Sequence, residues 1–220
     1  MSQDTGAYQP TTGSSIGTEN AIDFNGTSDW LKADSGLGVD IKSLFVVLKP
    51  DAAIDQTTPG LYITSTVADF KTVGLVFGSE TAALTNEVIA LLDENQANVY
   101  VDRQGISNAN YASISAAGHI FSNVLATDWF MGVDGSADLR NLTSGTRHDL
   151  LYTSTFGVGA GLRRWFAEKW FNGKIGEIIC IQTAVDSATR YKIEGYLAWK
   201  WGLVANLPAG HPYKSAPPYA

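Results

Sequence analysis

Short stretches of alternating apolar and polar residues, each ended by a turn signal, run along most of the chain. Ala21-Ile22-Asp23-Phe24-Asn25-Gly26 alternates and then breaks at a glycine. Residues 43–49 (Ser-Leu-Phe-Val-Val-Leu-Lys) form a β-branched and aromatic run stopped by Pro50, the pattern of a central strand. Further short strands are expected at 61–64, 73–77, 88–92, 99–101, 119–124, 129–133 and 156–158. Pro59-Gly60, Asn25-Gly26, Asp134-Gly135 and Asn172-Gly173 punctuate them. Asn-Gly and Asp-Gly tolerate the positive φ that two-residue hairpin loops need. Many short strands with scattered turns predict an all-β sandwich or barrel. Over 174–182, positions 175 and 178–181 are apolar. Such a strand is expected to be covered on both faces, by a sheet below and a helix above.

The period changes after residue 185. Asp186 or Ser187 can cap a helix, and Ile193, Leu197 and Trp201 fall at i, i+4 and i+8 on one stripe. Gly202 suits the C-terminal cap, so a helix over 186–202 is predicted as a fixed lid on the sandwich. Arg190 and Glu194, four apart, read as a solvated pair. Gly195 costs about 1 kcal/mol relative to Ala inside a helix; close approach of helix to sheet is the expected reason for it. The tail carries Pro208, Pro212, Pro217 and Pro218 and is expected to run extended along the surface. Residues 1–20, rich in Ser, Thr, Gly and Gln, read as an N-terminal arm. Contacts outside the arm, with a neighbouring subunit, are expected to order it. The domain proper is expected to span 21–220.

Composition supports a β protein. Of 220 residues 45% are hydrophobic and only 17% charged, with 22 glycines, enough apolar material for one sizeable core. The net charge of −7 and the absence of a basic run argue against a nucleic-acid partner. Cys180 is the single cysteine, in an apolar run, and reads as a buried thiol. Residues 1–20 lack the basic and apolar regions of a signal peptide. No apolar run approaches the ~20 residues of a membrane span. Synthesis and folding in a cytoplasm are expected.

The chemistry-bearing residues are sparse. Retaining glycosidases need carboxylates about 5–5.5 Å apart, and no Glu-x-Asp-x-x-Glu run supplies them. Asp93 and Glu94 are adjacent and Glu177 is isolated in its strand. No Gly-x-Ser-x-Gly elbow occurs, and among His119, His148 and His211 the first lies in an apolar strand, which gives a triad little support. No two histidines are close enough in sequence for a zinc site. Asp134 and Asp138 flank a turn and are the calcium candidates, though an Asp capping its own hairpin accounts for such a pattern. Trp129, Trp165, Trp170 and Phe171 are candidates to stack on sugars, though aromatics in β-sandwiches are more often core.

Five segments carry a resemblance. Phe24-Asn25-Gly26-Thr27-Ser28-Asp29-Trp30-Leu31 is similar to the opening strand of concanavalin A-like, laminin-G-like domains. Residues 114–124 and 129–135 resemble that family's adjacent strands ending in a Val-Asp-Gly hairpin, and 171–178 its closing strand. The run Tyr191-Lys192-Ile193-Glu194-Gly195-Tyr196-Leu197-Ala198-Trp199-Lys200-Trp201-Gly202-Leu203, with Leu207-Pro208 and His211-Pro212-Tyr213-Lys214, resembles the end of such domains in bacteriophage structural proteins and bacterial surface proteins. The resemblance implies a two-sheet antiparallel jelly-roll sandwich with the C-terminal helix packed on it. It implies a virion component, either capsid decoration or head fibre, or tail fibre or receptor-binding protein. The rival is a carbohydrate-binding module of a bacterial surface protein. No catalytic or cofactor residue is implied and no enzyme is expected. The expected partners are other virion proteins or copies of the chain, in a homo-oligomeric assembly, and a host surface glycan.

Overall fold

A computed structural model of the chain describes residues 5–33, 39–53, 62–67, 71–77, 87–94, 100–107, 114–125, 130–137, 150–152, 155–159 and 170–219, with backbone alone for 32–33, 39–40, 62–107 and 150–157. The strands are β1 (Thr11–Ile16), β2 (Glu19–Asn25), β3 (Leu31–Ala33), β4 (Val39–Ile41), β5 (Ser43–Pro50), β6 (Tyr62–Val67), β7 (Lys71–Phe77), β8 (Glu87–Glu94), β9 (Tyr100–Ser107), β10 (His119–Val124), β11 (Phe130–Val133), β12 (Leu150–Tyr152), β13 (Thr155–Val158) and β14 (Asn172–Ile181). One sheet has the order β1-β2-β14-β5-β10-β11 and a second the order β3-β13-β6-β7-β8-β9, with a small β12-β4 pair beside them. The pairings are antiparallel. The architecture is a two-sheet jelly-roll sandwich with one helix, α1 (Ser187–Lys200), as the pattern and the resemblance predict.

The central position of β5 follows from its sequence. Val46 stands opposite Phe121 of β10 and Ile178 of β14, and Phe45, Val46, Val47 and Leu48 are fully buried. A strand paired on both edges and covered on both faces must be apolar at every position. On the inter-sheet side, Phe24 of β2 packs its ring 6.1 Å from that of Phe171. A Cβ on Gly159, just after β13, would come within 2.4 Å of the Phe24 ring; glycine is needed there for the two sheets to approach.

The other face of the first sheet carries α1. Phe45, Val47 and Ile120 from the sheet meet Leu197, Ala198 and Trp201 from the helix in one buried cluster. Asp186 caps the helix, its side chain accepting from Thr189 N at 2.7 Å. Gly202, at φ +67°, ends it, with Leu203 N donating to Ala198 O at 2.8 Å, a Schellman-type closure. The lid reading therefore holds, down to the Ile193-Leu197-Trp201 stripe. Among the described residues no helix is long and apolar enough to cross a membrane.

Several expectations are corrected. The arm is not separate along its length: 11–16 form edge strand β1, paired with β2, and Ile16 is in the core. A bulge between Thr11 and Ser14, with Gly13 at φ +99°, lets this Ser/Thr-rich stretch pair despite its weak strand pattern. The tail is not simply extended. It makes a 3₁₀ turn at Val204–Asn206 and buries Leu207 and His211. Gly195 makes room for that tail and not for the sheet, since a Cβ there would lie 2.6 Å from the Tyr213 Cβ. The sheet approaches the helix at Gly176 instead, where a Cβ would strike the Trp201 ring. Cys180 is half-buried, and desolvation raises its thiol pKa to about 11. Strands β3, β4 and β12 were not expected; each has three residues, too few for a period to show.

Candidate functional site

The functional side chains collect where α1 and the tail meet the first sheet. Arg190 and Glu194 lie here, and they are buried, not solvated. Arg190 Nη1 donates to Glu194 Oε1 at 2.8 Å and Oε2 at 3.1 Å. The Arg190 guanidinium lies 3.8 Å from the centre of the Phe130 ring and 4.3 Å from that of Tyr191. His211 reaches Glu194 Oε2 with Nε2 at 3.3 Å. Its Nδ1 accepts from Tyr213 N, so the ring proton sits on Nε2 and is donated to the carboxylate. Lys214 closes the unit by donating to the carbonyls of Val204, Ala205 and Leu207 at 2.7–2.8 Å. The C-terminal run singled out in the sequence is therefore one interlocked cap.

Glu177 is the carboxylate through which β14 holds the helix. It accepts from Tyr196 OH at 3.1 Å, Lys200 Nζ at 2.9 Å and Trp201 Nε1 at 2.9 Å. Burial pushes its pKa up, but the bonds from Lys200, Trp201 and Tyr196 outweigh this and hold it below the usual glutamate range. The hydrogen bonds that Lys200 donates to Tyr196 Oη and Glu177 lift its ammonium pKa well above its usual value.

Outside this seam the helix and tail expose an aromatic strip. Trp199 is 39% exposed and Tyr219 59%. Trp199 Nε1 is fixed by Tyr213 O at 2.9 Å, and Tyr196 and Tyr219 hold their rings 5.9 Å apart. Tyr196 and Tyr219 lie beside the Lys200–Glu177 ion pair, which hydrogen-bonds the Tyr196 hydroxyl. Sequence reading missed this strip because its aromatics come from two elements.

The residues predicted from sequence are dispersed. Asp134 sits in the turn that follows β11, at φ +53°. Its Oδ1 accepts from Ile120 N at 2.8 Å and its Oδ2 meets His119 Nδ1 at 2.7 Å, so both oxygens serve the hairpin. Asp138, Trp129 and Trp165 lie outside the described residues. Among the described residues no group of three or more His, Cys, Asp or Glu is arranged to hold a metal ion. Phe171 is core and Trp170 half-buried. Asp93 has no along-strand partner, but the β8–β9 register sets it opposite Asp102, a cross-strand relation that spacing along the sequence does not reveal.

The chain matches no protein-family model and no curated protein sequence. Among solved structures it is similar to domain 4 of AbnA, a GH43 extracellular arabinanase from Geobacillus stearothermophilus, solved in complex with arabinotriose. That similarity has 13% identity and a TM-score of 0.57, covering 82% of this chain and 78% of that one. It is also similar to the heptameric SAP-like pentraxin from Limulus polyphemus, with 13% identity, a TM-score of 0.52, and 81% of each chain covered. The fold is thus a two-sheet jelly-roll sandwich like those of these two domains. At this identity the likeness extends to the fold alone.

Proposed function

We propose that the chain is a lectin-like binding domain of a virion structural protein, and that it holds saccharide on the aromatic strip of α1 and the tail. The observation that carries this reading is the exposure of Trp199 and Tyr219, with Trp199 held by Tyr213 O and Tyr219 against Tyr196 beside the Lys200–Glu177 pair. A pyranose presents C–H groups to an aromatic face and hydroxyls to polar neighbours, so fixed rings flanked by hydrogen-bonding groups suit it. That the arabinanase domain of the same fold was solved with arabinotriose supports a saccharide ligand. The virion assignment rests on the resemblance of residues 191–203 and 207–214 to the ends of phage structural proteins.

A glycan array probed with the full chain and with Trp199→Ala and Tyr219→Ala tests the binding half. Saturable binding lost in both variants supports the strip. Binding unchanged in both moves the site elsewhere, and no binding across a broad array removes the lectin reading. Mass spectrometry of purified particles tests the other half. Hundreds of copies indicate capsid decoration and a few tens or fewer a tail role; absence from particles overturns the virion assignment.

A further inference from the structure

A second cluster lies at the open end of the β10–β11 pair, where β10 begins and β11 ends. Ser115 Oγ is 3.0 Å from His119 Nε2, and His119 Nδ1 is 2.7 Å from Asp134 Oδ2. We propose that these three residues form a nucleophilic centre, with Ser115 as nucleophile, His119 as general base and Asp134 orienting the imidazole, and that it cleaves esters of a small acyl group.

Each role has its geometry. Asp134 is held in place by Ile120 N–H to Oδ1 at 2.8 Å and by its own N–H to Ile120 O at 2.7 Å. An ionised carboxylate can only accept, so the His119 proton sits on Nδ1 and Nε2 is free to take a proton from Ser115. His119 and the Asp134 carboxylate are largely shielded, with side-chain exposures of 7% and 13%. Ser115 itself is exposed. A buried base reaching solvent through one exposed hydroxyl is the arrangement that nucleophilic catalysis requires. The bend after Ser115 is anchored by Asn206 Nδ2 to Gly118 O at 2.8 Å. A Cβ on Gly118 would meet Leu203 and Ile16 side chains within 2.9 Å, so the bend sits hard against the C-terminal cap. Ala116, Ala117 and Gly118 present no bulk beside the hydroxyl, which gives a short acyl group direct access.

In the reaction Ser115 Oγ bonds to the ester carbonyl carbon while its proton passes to His119 Nε2. The bond to the alcohol oxygen then breaks, and the same proton leaves on the alcohol. Water repeats the sequence on acyl-Ser115 and releases the carboxylic acid. The backbone N–H groups of Ala116 and Ala117 are the donors nearest in sequence for the oxyanion.

The test is a fluorophosphonate probe on the folded full chain, with the adduct mapped by mass spectrometry, together with hydrolysis of 4-nitrophenyl acetate and octanoate. One adduct, on Ser115, is expected, with none in Ser115→Ala, whose melting should match the parent because Ser115 is exposed. Asp134→Asn keeps a residue that tolerates positive φ but misorients the imidazole. It should slow labelling and acetate hydrolysis by about 10²–10⁴-fold. Acetate should be cleaved faster than octanoate. No Ser115 adduct, or labelling as fast in folded Asp134→Asn and His119→Gln as in the parent, overturns the proposal. Equal cleavage of octanoate overturns its small-acyl part.

Discussion

Glu194 has no exposed surface and satisfies its charge with Arg190 and the His211 N–H. Removing one member of a buried pair strands the other, which costs about 3–5 kcal/mol. Glu194→Ala should therefore lower unfolding stability by that amount in urea titration, where a solvated pair would give a change of about 0.5 kcal/mol or less. The i, i+4 spacing of Arg190 and Glu194 was visible in the sequence, but their burial was not. What covers them is Phe130 from β11 and His211 from the tail, and neither can be read from helical spacing. Glu177 adds a pH dependence. Its folded pKa lies below the usual 4.5, so its bonds contribute fully above that value and are lost as pH falls through the folded pKa. Glu177→Gln should be less stable than the parent near neutrality. The gap in denaturation midpoint should narrow as pH falls below 4.5 and through the lower folded pKa; a gap constant with pH would show that the carboxylate gains nothing from ionisation there.

Elements were more legible than contacts. β5 was readable because a continuous apolar run bounded by a turn signal leaves few alternatives, and α1 because its cap, stripe and terminating glycine agree. The edge strand β1 was not, because an edge needs little apolar surface and its exposed Thr and Ser residues look like linker. The candidate site was hardest to read. The aromatic strip joins α1 to residue 219, and the Ser115–His119–Asp134 relay joins a bend, a strand and a turn. The helix also carries a mechanical prediction. Trp201 fills the space left by Gly176 and donates to Glu177. Trp201→Ala should destabilise by about 3–5 kcal/mol, seen as a lowered denaturant midpoint with intact secondary structure at low denaturant. Unchanged melting would mean that α1 is not fastened to the sheet through this side chain.

At the scale of the whole molecule the two ends of the described chain are clasped. The β1–β2 turn sits on the helix terminus, where a Cβ on Gly17 would overlap the Trp201 carbonyl, and Ile16 lies in the same cluster as Leu203 and Leu207. A chain begun at Glu19 should therefore melt at a lower temperature and, with the β2 edge uncovered, self-associate on size-exclusion chromatography. Unchanged melting would restore the view of residues 1–20 as a separable arm. The sheet order has a further consequence for biosynthesis. β14 is inserted between β2 and β5, so the two early strands have no hydrogen-bonded route to one another until Asn172–Ile181 leaves the ribosome. During translation the nascent chain must carry β2 and β5 with open edges for most of its synthesis. The sandwich can close only after β14 emerges, which makes its folding late, long-range and dependent on keeping those edges from other nascent chains.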